Sequence, residues 1–472
     1  MTLTAMKRRK TLPRWGCGLM LVSLGCGGEA DPCVEGEACQ LEGEVQVATW
    51  WGTRGELYIP FDILKQSLRR TTGLEATLAH RLQTKTEHTR WIEGQLEQTA
   101  DPLVPLDVFS ANNGDEVLRW TRCAASGIPP ESPRLVGLTN GELGVSALDP
   151  GWIAENFPRE VMQTLQCEGE TYALPVGIHR INTLLYNKES FRKAGYAVDG
   201  AEGLPLPGSL EELSQAARAI DATLPEEDAG SDLPASVFAV AGREAWTLSL
   251  FVIENLMLSL AQDSTHYQNY WQGRDCDEGL LERTLAEFEK LRPWFGNWEL
   301  SASEALARVT SGQAAMMVMG DWAAAEPAPE DVGTIPFPGT AQYFVFSADV
   351  FALPDIPNAD PLKGLAWLRA VTGDETQHEF SIAKSALPAR TDLEGELAPG
   401  GGSAPEWVRS LPAIFPYVEN GPFHDLQDVL KEWLYARKDT GSVLEYAREE
   451  YSKLSHGTVS CVPTNVDGRI PE

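Results

Sequence analysis

Two hydrophobic periods take turns along this chain. Over Glu44–Trp50, Val45 and Val47 alternate with polar or small residues, the two-residue period of a half-buried strand. A turn containing Gly52 and Gly55 follows, and Leu57, Phe61, Leu64 and Leu68 then recur at helical spacing, predicting a helix over Glu56–Thr72 closed by Gly73. Leu74–Leu82 predicts a second strand, Thr89–Gln98 a helix and Leu106–Ser110 a third strand. Strands alternating with helices imply a parallel sheet covered by helices, and in such sheets ligands bind beyond the carboxyl ends of the strands. Trp50, Trp51, Ser110, Asn112 and Asn113 stand at or just past such ends and are expected to converge on one rim.

The pattern continues with an apolar stretch at Thr171–Asn187 that contains Pro175. Proline removes a ladder donor, so this stretch is expected to cross between lobes rather than to form a central strand. Ser209, with Glu212 three residues on, predicts a capping box opening a helix over Leu210–Ile220. Ala245–Ala261 reads as a strongly apolar helix, and Leu280–Leu291 and Ser303–Ser311 as further helices. At Met316–Trp322 an apolar run ends on Gly320, followed by a carboxylate, Asp321, and an indole, Trp322. Glycine allows a turn or a close approach there, so Asp321 can be aimed into a cleft with Trp322 beside it. A solvated Asp at a strand end is the competing reading. Beyond it lie a short aromatic strand at Tyr343–Phe346 and helices at Pro361–Thr372, Gln377–Ile382, Leu426–Arg437 and Val443–Leu454.

At 472 residues the chain exceeds one ordinary core. Its formal net charge is −30, and setting aside Met1–Gly25, with five basic residues and no acidic one, takes the remainder to about −35. That sign repels phosphate backbones, so nucleic acid is not an expected partner. A basic cluster at Lys7–Lys10, an apolar stretch from Trp15 to Leu24 and small residues before Cys26 predict an export signal over residues 1–25. Ser23-Leu-Gly-Cys26 resembles a bacterial lipobox, with Ser23 where an aliphatic residue is usual, which implies an acylated Cys26 and an acidic tether over residues 26–43. Of eight cysteines, six remain after Cys17 and Cys26, an even number that favours disulfides in an exported chain. Fifteen pairings are open to six cysteines; the pairing adopted is Cys33–Cys39, Cys123–Cys167 and Cys276–Cys461. The absence of a Cys-x-x-Cys pair weakens a zinc or redox reading, and neither metal nor cofactor is expected.

Adjacent indoles at Trp50 and Trp51 are the sharpest local feature, because a flat aromatic face suits the C–H face of a pyranose and Glu56 could accept from sugar hydroxyls. Two packing tryptophans and a glutamate favoured by the helix dipole form the alternative. Trp246, Trp271, Trp294 and Trp298 belong to the middle of the chain, assigned to the opposite lobe. Asp321 and Lys384 are candidate polar contacts, and His179 a candidate cleft residue. No Gly-x-Ser-x-Gly elbow, His-Glu-x-x-His helix or phosphate-cradling glycine loop occurs, so enzyme activity is not expected, although a carboxylate pair cannot be judged by counting.

Several stretches together resemble bacterial extracellular solute-binding proteins of the carbohydrate family (family 1), nearest its glucose/mannose-binding branch: Ala48–Glu56, Leu174–Asn182, Glu244–Thr247, Tyr267–Gly273, Gly312–Ala324 and Phe337–Thr340, in the family's order. The resemblance implies an α/β, two-lobed periplasmic-binding-protein fold of type II-like form. Its lobes would comprise residues 44–175 with 322–372 and residues 176–321 with 373–472, joined by about three crossings. By position, Trp50, Trp51 and Glu56 look like first-lobe sugar contacts and Trp246 and Trp271 like second-lobe aromatic walls. Asp321 and Lys384 look like partners of ring hydroxyls, with His179 beside the hinge. The chain departs from the branch at Ser110 and Asn112, where Gln and His are usual, near Ala302, where a tryptophan is missing, and over Phe415–His424, whose different pattern leaves the branch's late histidine unplaced. The implied role is a monomeric, periplasmic, lipid-anchored sugar carrier serving ABC permease subunits, against a secreted carbohydrate-active enzyme or a sensor or adhesin without transport.

Overall fold

A computed structural model describes residues 41–51, 58–80, 85–100, 102–123, 133–139, 143, 147–224, 235–261, 263–271, 277–324, 331–393, 413–416, 426–435 and 439–454. Residues 1–25, Cys26, Cys33, Cys39, Glu56, Cys276 and Cys461 lie outside them, as does the Trp271 side chain.

Val45 and Val47 send their side chains inward from β1 (Glu44–Ala48), which pairs in parallel with β2 (Glu75–Leu78) and with β3 (Val108–Asn112). The helix between the first two strands, Tyr58–Thr72, buries Phe61, Leu64 and Leu68 on one face, as its spacing requires. A small hairpin, β4 (Gln166–Cys167) with β5 (Glu170–Thr171), precedes β6 (Ala173–Arg180), and a Cys123–Cys167 disulfide ties the hairpin to the turn that follows Thr121. The chain then leaves this sheet for a second one, made by β7 (Thr183–Asn187), β8 (Ser236–Phe238), β9 (Ala314–Val318) and β10 (Val332–Pro336) in the order β10-β7-β9-β8. It returns through β11 (Tyr343–Ala352), which lies between β6 and β3, and adds β12 (Leu387–Pro388) and β13 (Ala413–Pro416).

Each sheet has its own core. Val47, Trp51, Phe61, Phe351, Trp367 and Phe380 belong to the first. Leu184, Phe238, Phe251, Phe288, Met316 and Trp433 belong to the second. The molecule is thus α/β and two-lobed. The division of the chain differs from the expected one: residues 176–180 of β6 and β13 stay in the first sheet, and two further segments change sides. The helix Asp374–Lys384 packs Phe380 into the first core, and Ala389 follows it there. Residues 332–336 pair with β7, and Phe337 enters the second core.

Three elements differ from expectation. Pro175 does sit within a sheet strand. It is tolerated because β12 covers β6 only at Gly177 and Ile178, and because the β6–β11 register shifts between Asp349 and Val350, placing Pro175 at the edge of an irregularity. The aromatic strand at Tyr343 runs to Ala352, ten residues where four were expected, since nine of the ten are buried and no alternation marks its end. The apolar helix divides into Ala245–Ser249, a π-helical segment Leu250–Met257 and Leu258–Leu260.

Two crossings meet at Asn182. Its amide donates to the Thr340 and Tyr343 carbonyls at 3.2 and 3.1 Å, and its Oδ1 accepts from Val345 N at 3.1 Å and Arg180 Nε at 3.0 Å. The segments entering and leaving the second lobe are therefore fastened to each other rather than independent.

Candidate functional site

β1 ends at Ala48, two residues before its tryptophans, and the turn that follows decides their fates. Trp51 N–H donates to Thr49 Oγ1 at 3.1 Å, and the Trp51 ring goes inward between Phe351 and Phe380, with centroids at 5.7 and 5.6 Å, until it is wholly buried. Trp51 is therefore a core residue and not a sugar contact; an indole excluded from solvent offers no face to a ligand. Trp50 stays half-buried, edge-on to Trp51 at 5.1 Å.

His88, which sequence reading missed, holds the other side of Trp50 at 5.2 Å. It comes from the helix Lys85–Leu96, and its Nε2 lies 2.8 Å from the Ser110 carbonyl, so Nε2 carries the proton and donates. Burial drives its pKa down to about 4 against the opposing pull of that carbonyl. Ser110 itself is buried and Asn112 nearly so, its backbone N–H donating to Glu116 at 2.9 Å. Both belong to β3, where the Ser110 carbonyl accepts from His88.

On the other lobe, β9 runs out at Val318 and the 3₁₀ turn Asp321–Ala324 begins. Gly320 is required: a Cβ there would overlap the Trp322 ring. Asp321 accepts from His179 Nδ1 at 2.8 Å through one oxygen and from Arg180 N at 2.8 Å through the other. Trp322 lies edge-on to His179 at 5.4 Å and 6.2 Å from Trp246. Trp246 is fixed by its Nε1–H, which donates to Glu244 at 2.9 Å, while the second Glu244 oxygen accepts from the Ala302 backbone at 3.2 Å. Trp246 and Trp322 remain half-buried. Trp294 and Trp298 pack against the second core, and the Arg292 guanidinium covers Trp298 at 5.4 Å.

Between the two aromatic groups stands a set of charges. His179 Nε2 is 3.3 Å from Asp349, whose same oxygen is 3.7 Å from the Lys384 ammonium, and that ammonium lies 5.1 Å over the Trp51 ring. Burial works against a charged His179, but the charges and hydrogen bonds of Asp321 and Asp349 outweigh it and raise its pKa above the usual imidazole value. Burial likewise pushes Asp349 upward, and Lys384, His179 and Lys85 together hold it below the usual carboxylate range. An unbroken series of contacts thus runs from Trp50 through Trp51, Lys384, Asp349, His179 and Trp322 to Trp246. A separate cavity of about 450 Å³ by the amino-terminal ends of β1 and β3, lined by Glu44, Gln46, Asp107 and Asp360, has no aromatic ring in its lining.

His88 gives a direct test of this electrostatic picture. The unfolded chain binds a proton at this residue below about pH 6.5, and the folded one refuses it until about pH 4. Stability should therefore fall by roughly 3 kcal/mol across that window. Chemical denaturation at pH 7 and pH 4.5 should show a smaller acid-side loss for His88→Gln than for the parent; equal losses would contradict it.

Three kinds of known protein align with this chain. Residues 142–416 match the family model described as bacterial extracellular solute-binding protein. An uncharacterised ABC transporter extracellular-binding protein of Pyrococcus horikoshii is 24% identical over 459 residues, covering 90% of this chain and 92% of its own. A "probable sugar-binding periplasmic protein" of Mesorhizobium japonicum is 24% identical over 377 residues, 74% of this chain and 76% of its own. Among solved structures, a chitin oligosaccharide binding protein superposes with a TM-score of 0.66 at 16% identity, covering 88% of this chain and 99% of that one. The bacterial solute receptor AcbH, described as preferring β-D-galactopyranose exclusively, superposes at 0.65 with 16% identity, over 88% and 98%. These structures share the two-lobed fold.

Proposed function

Because the chain belongs to the bacterial extracellular solute-binding protein family, we propose that it captures a neutral sugar between its lobes and delivers it to ABC permease subunits. The supporting observation is the contact series linking half-buried Trp50 on one lobe to Trp322 and Trp246 on the other, with ionised groups between them. Indole faces bind the C–H face of a pyranose, and Asp321 and Lys384 read its hydroxyls. The ligand is a monosaccharide of the glucose, mannose or galactose type or a short oligosaccharide; the relatives and structural neighbours include binders of both sizes, AcbH for a single hexose and the chitin protein for a chain. Closure follows from a ligand that touches both lobes and so favours the conformation in which both contacts exist. The protein acts as a monomer at the periplasmic face, held through lipidated Cys26, and releases its sugar chemically unchanged.

Titration calorimetry against a panel of hexoses, pentoses and their short oligomers tests this reading. One sugar class should give heat at millimolar concentration or below, and the ligand recovered after denaturation should be intact. Hydrolysed ligand would favour the enzyme reading, and absence of heat across the panel would remove the sugar. Trp246→Ala should weaken binding about tenfold, the effect of some 60 Å² of lost apolar contact at about 25 cal/mol per Å².

A further inference from the structure

Asp349 stands out among the buried charges, since no motif announces it and three features of the fold are arranged around it. It lies in the middle of β11 within an apolar run, 5% exposed. Gly177 stands directly across from it on β6, and the register shift between Asp349 and Val350 begins at that pair. A Cβ on Gly177 would press against Phe380 and Ala386 at 3.0 and 3.1 Å, so the bare glycine lets the helix Asp374–Lys384 lie close against β6. Irregularities of this kind re-aim side chains beside functional sites. The helix that packs here ends in Lys384, and the Asp349 carboxylate meets its ammonium at 3.7 Å.

The second partner is His179, two pairs further along β6, opposite Ser347. Both ring nitrogens of His179 face carboxylate oxygens, Nδ1 that of Asp321 and Nε2 that of Asp349. A neutral imidazole has one N–H and would turn a lone pair toward one of the two carboxylates. Only the imidazolium satisfies both. The charged groups around this ring are Asp321 from the turn after β9, Asp349 from β11, Lys384 from the helix beside β6, and Lys85 acting on Asp349 from the helix Lys85–Leu96. Arg180 is adjacent, with its guanidinium on Asn182 and the Tyr343 carbonyl.

We propose that Asp349 is a positioning residue of the ligand site, holding Lys384 and the His179 ring in place. With Asp321 it makes the junction of the two lobes a proton-dependent latch, fastened while His179 carries both N–H protons and released when one is lost. Asp321 is the second-lobe end of the latch and Lys384 the first-lobe end, so the groups offered to a sugar are set by a residue that does not touch it. The sense is fixed by linkage: a histidine whose folded pKa lies above its unfolded value stabilises the fold below about pH 6.5. That contribution disappears as pH rises through the folded value. Affinity for a ligand bridging both lobes falls over the same range.

The effect on sugar affinity rests on the function proposed above, whereas the protonation of His179 does not. Two readouts separate them. Nitrogen-15 NMR of the His179 ring in the full chain, between pH 5 and 9, should show two protonated nitrogens at pH 6.5 with a single loss above it. A neutral ring at pH 6.5 overturns the latch whether or not sugar binds. Calorimetry with the best sugar of the panel should show Asp349→Asn weakened about tenfold at neutral pH, with its alkaline fall-off moved at least about one pH unit lower, the shift that one neighbouring charge produces. An Asp349→Asn protein with parental affinity and an unchanged inflection overturns the positioning role. Should that variant not fold, Lys384→Met removes the other end. Its imidazole titration should stay near the parent's while sugar affinity falls; unchanged affinity overturns the role.

Discussion

Trp51→Ala should lower the unfolding free energy by about 3–5 kcal/mol, the range for emptying a large aromatic site from a packed core. The ring is wholly buried against Phe351 and Phe380, and it supports both Trp50 and the Lys384 ammonium. Its Nε1 has no hydrogen-bond partner among the described residues, so the cost is that of the cavity alone. Trp51→Phe should therefore recover most of the loss. Chemical denaturation with far-ultraviolet dichroism checks this, and a Trp51→Ala protein within 1 kcal/mol of the parent would place the ring outside the core, by the usual scale of surface substitutions. The residue beside it behaves differently: Trp50→Ala should leave stability nearly unchanged and weaken sugar binding.

Asp321→Ala should have the largest effect at the junction, with a loss of about 3 kcal/mol in stability at pH 6 and near-complete loss of sugar affinity. One carboxylate there accepts from the His179 ring and the Arg180 backbone, two groups of β6, although it belongs to the turn after β9. Removing it leaves a buried imidazolium with one anionic partner and takes the Asp321 carboxylate away from the Arg180 backbone N–H. Asp321→Asn keeps an acceptor for Arg180 N–H, so it should lose less. Denaturation at pH 6 and calorimetry with the same sugar give both numbers. Equal effects of alanine and asparagine would show that the backbone contact carries no energy.

Much of the fold is legible because its signals are local. The alternation of Val45 and Val47, the spacing of Phe61, Leu64 and Leu68, and the Ser209–Glu212 capping box all operate within a few residues, and the box is present with both hydrogen bonds made. The apparent shortness of the strand at Tyr343 arises where both faces are buried and periodicity has nothing to report. Asp349 was hidden in that run for the same reason. His88 and Trp51 were illegible for a different one. Which of two adjacent indoles turns inward depends on where β1 stops, and the value of a histidine on the second helix depends on a carbonyl 22 residues away. Fold class could thus be read from the residues, while the membership of the site was decided by turns and by contacts between distant segments.

A crystal structure of the protein with the tightest-binding sugar of the panel tests the central claim most directly. The account predicts a sugar ring stacked on Trp246 or Trp322, with hydroxyls within hydrogen-bonding distance of Asp321 and Lys384 and with Trp50 approaching from the other lobe. A sugar seated elsewhere, or touching one lobe alone, would contradict it.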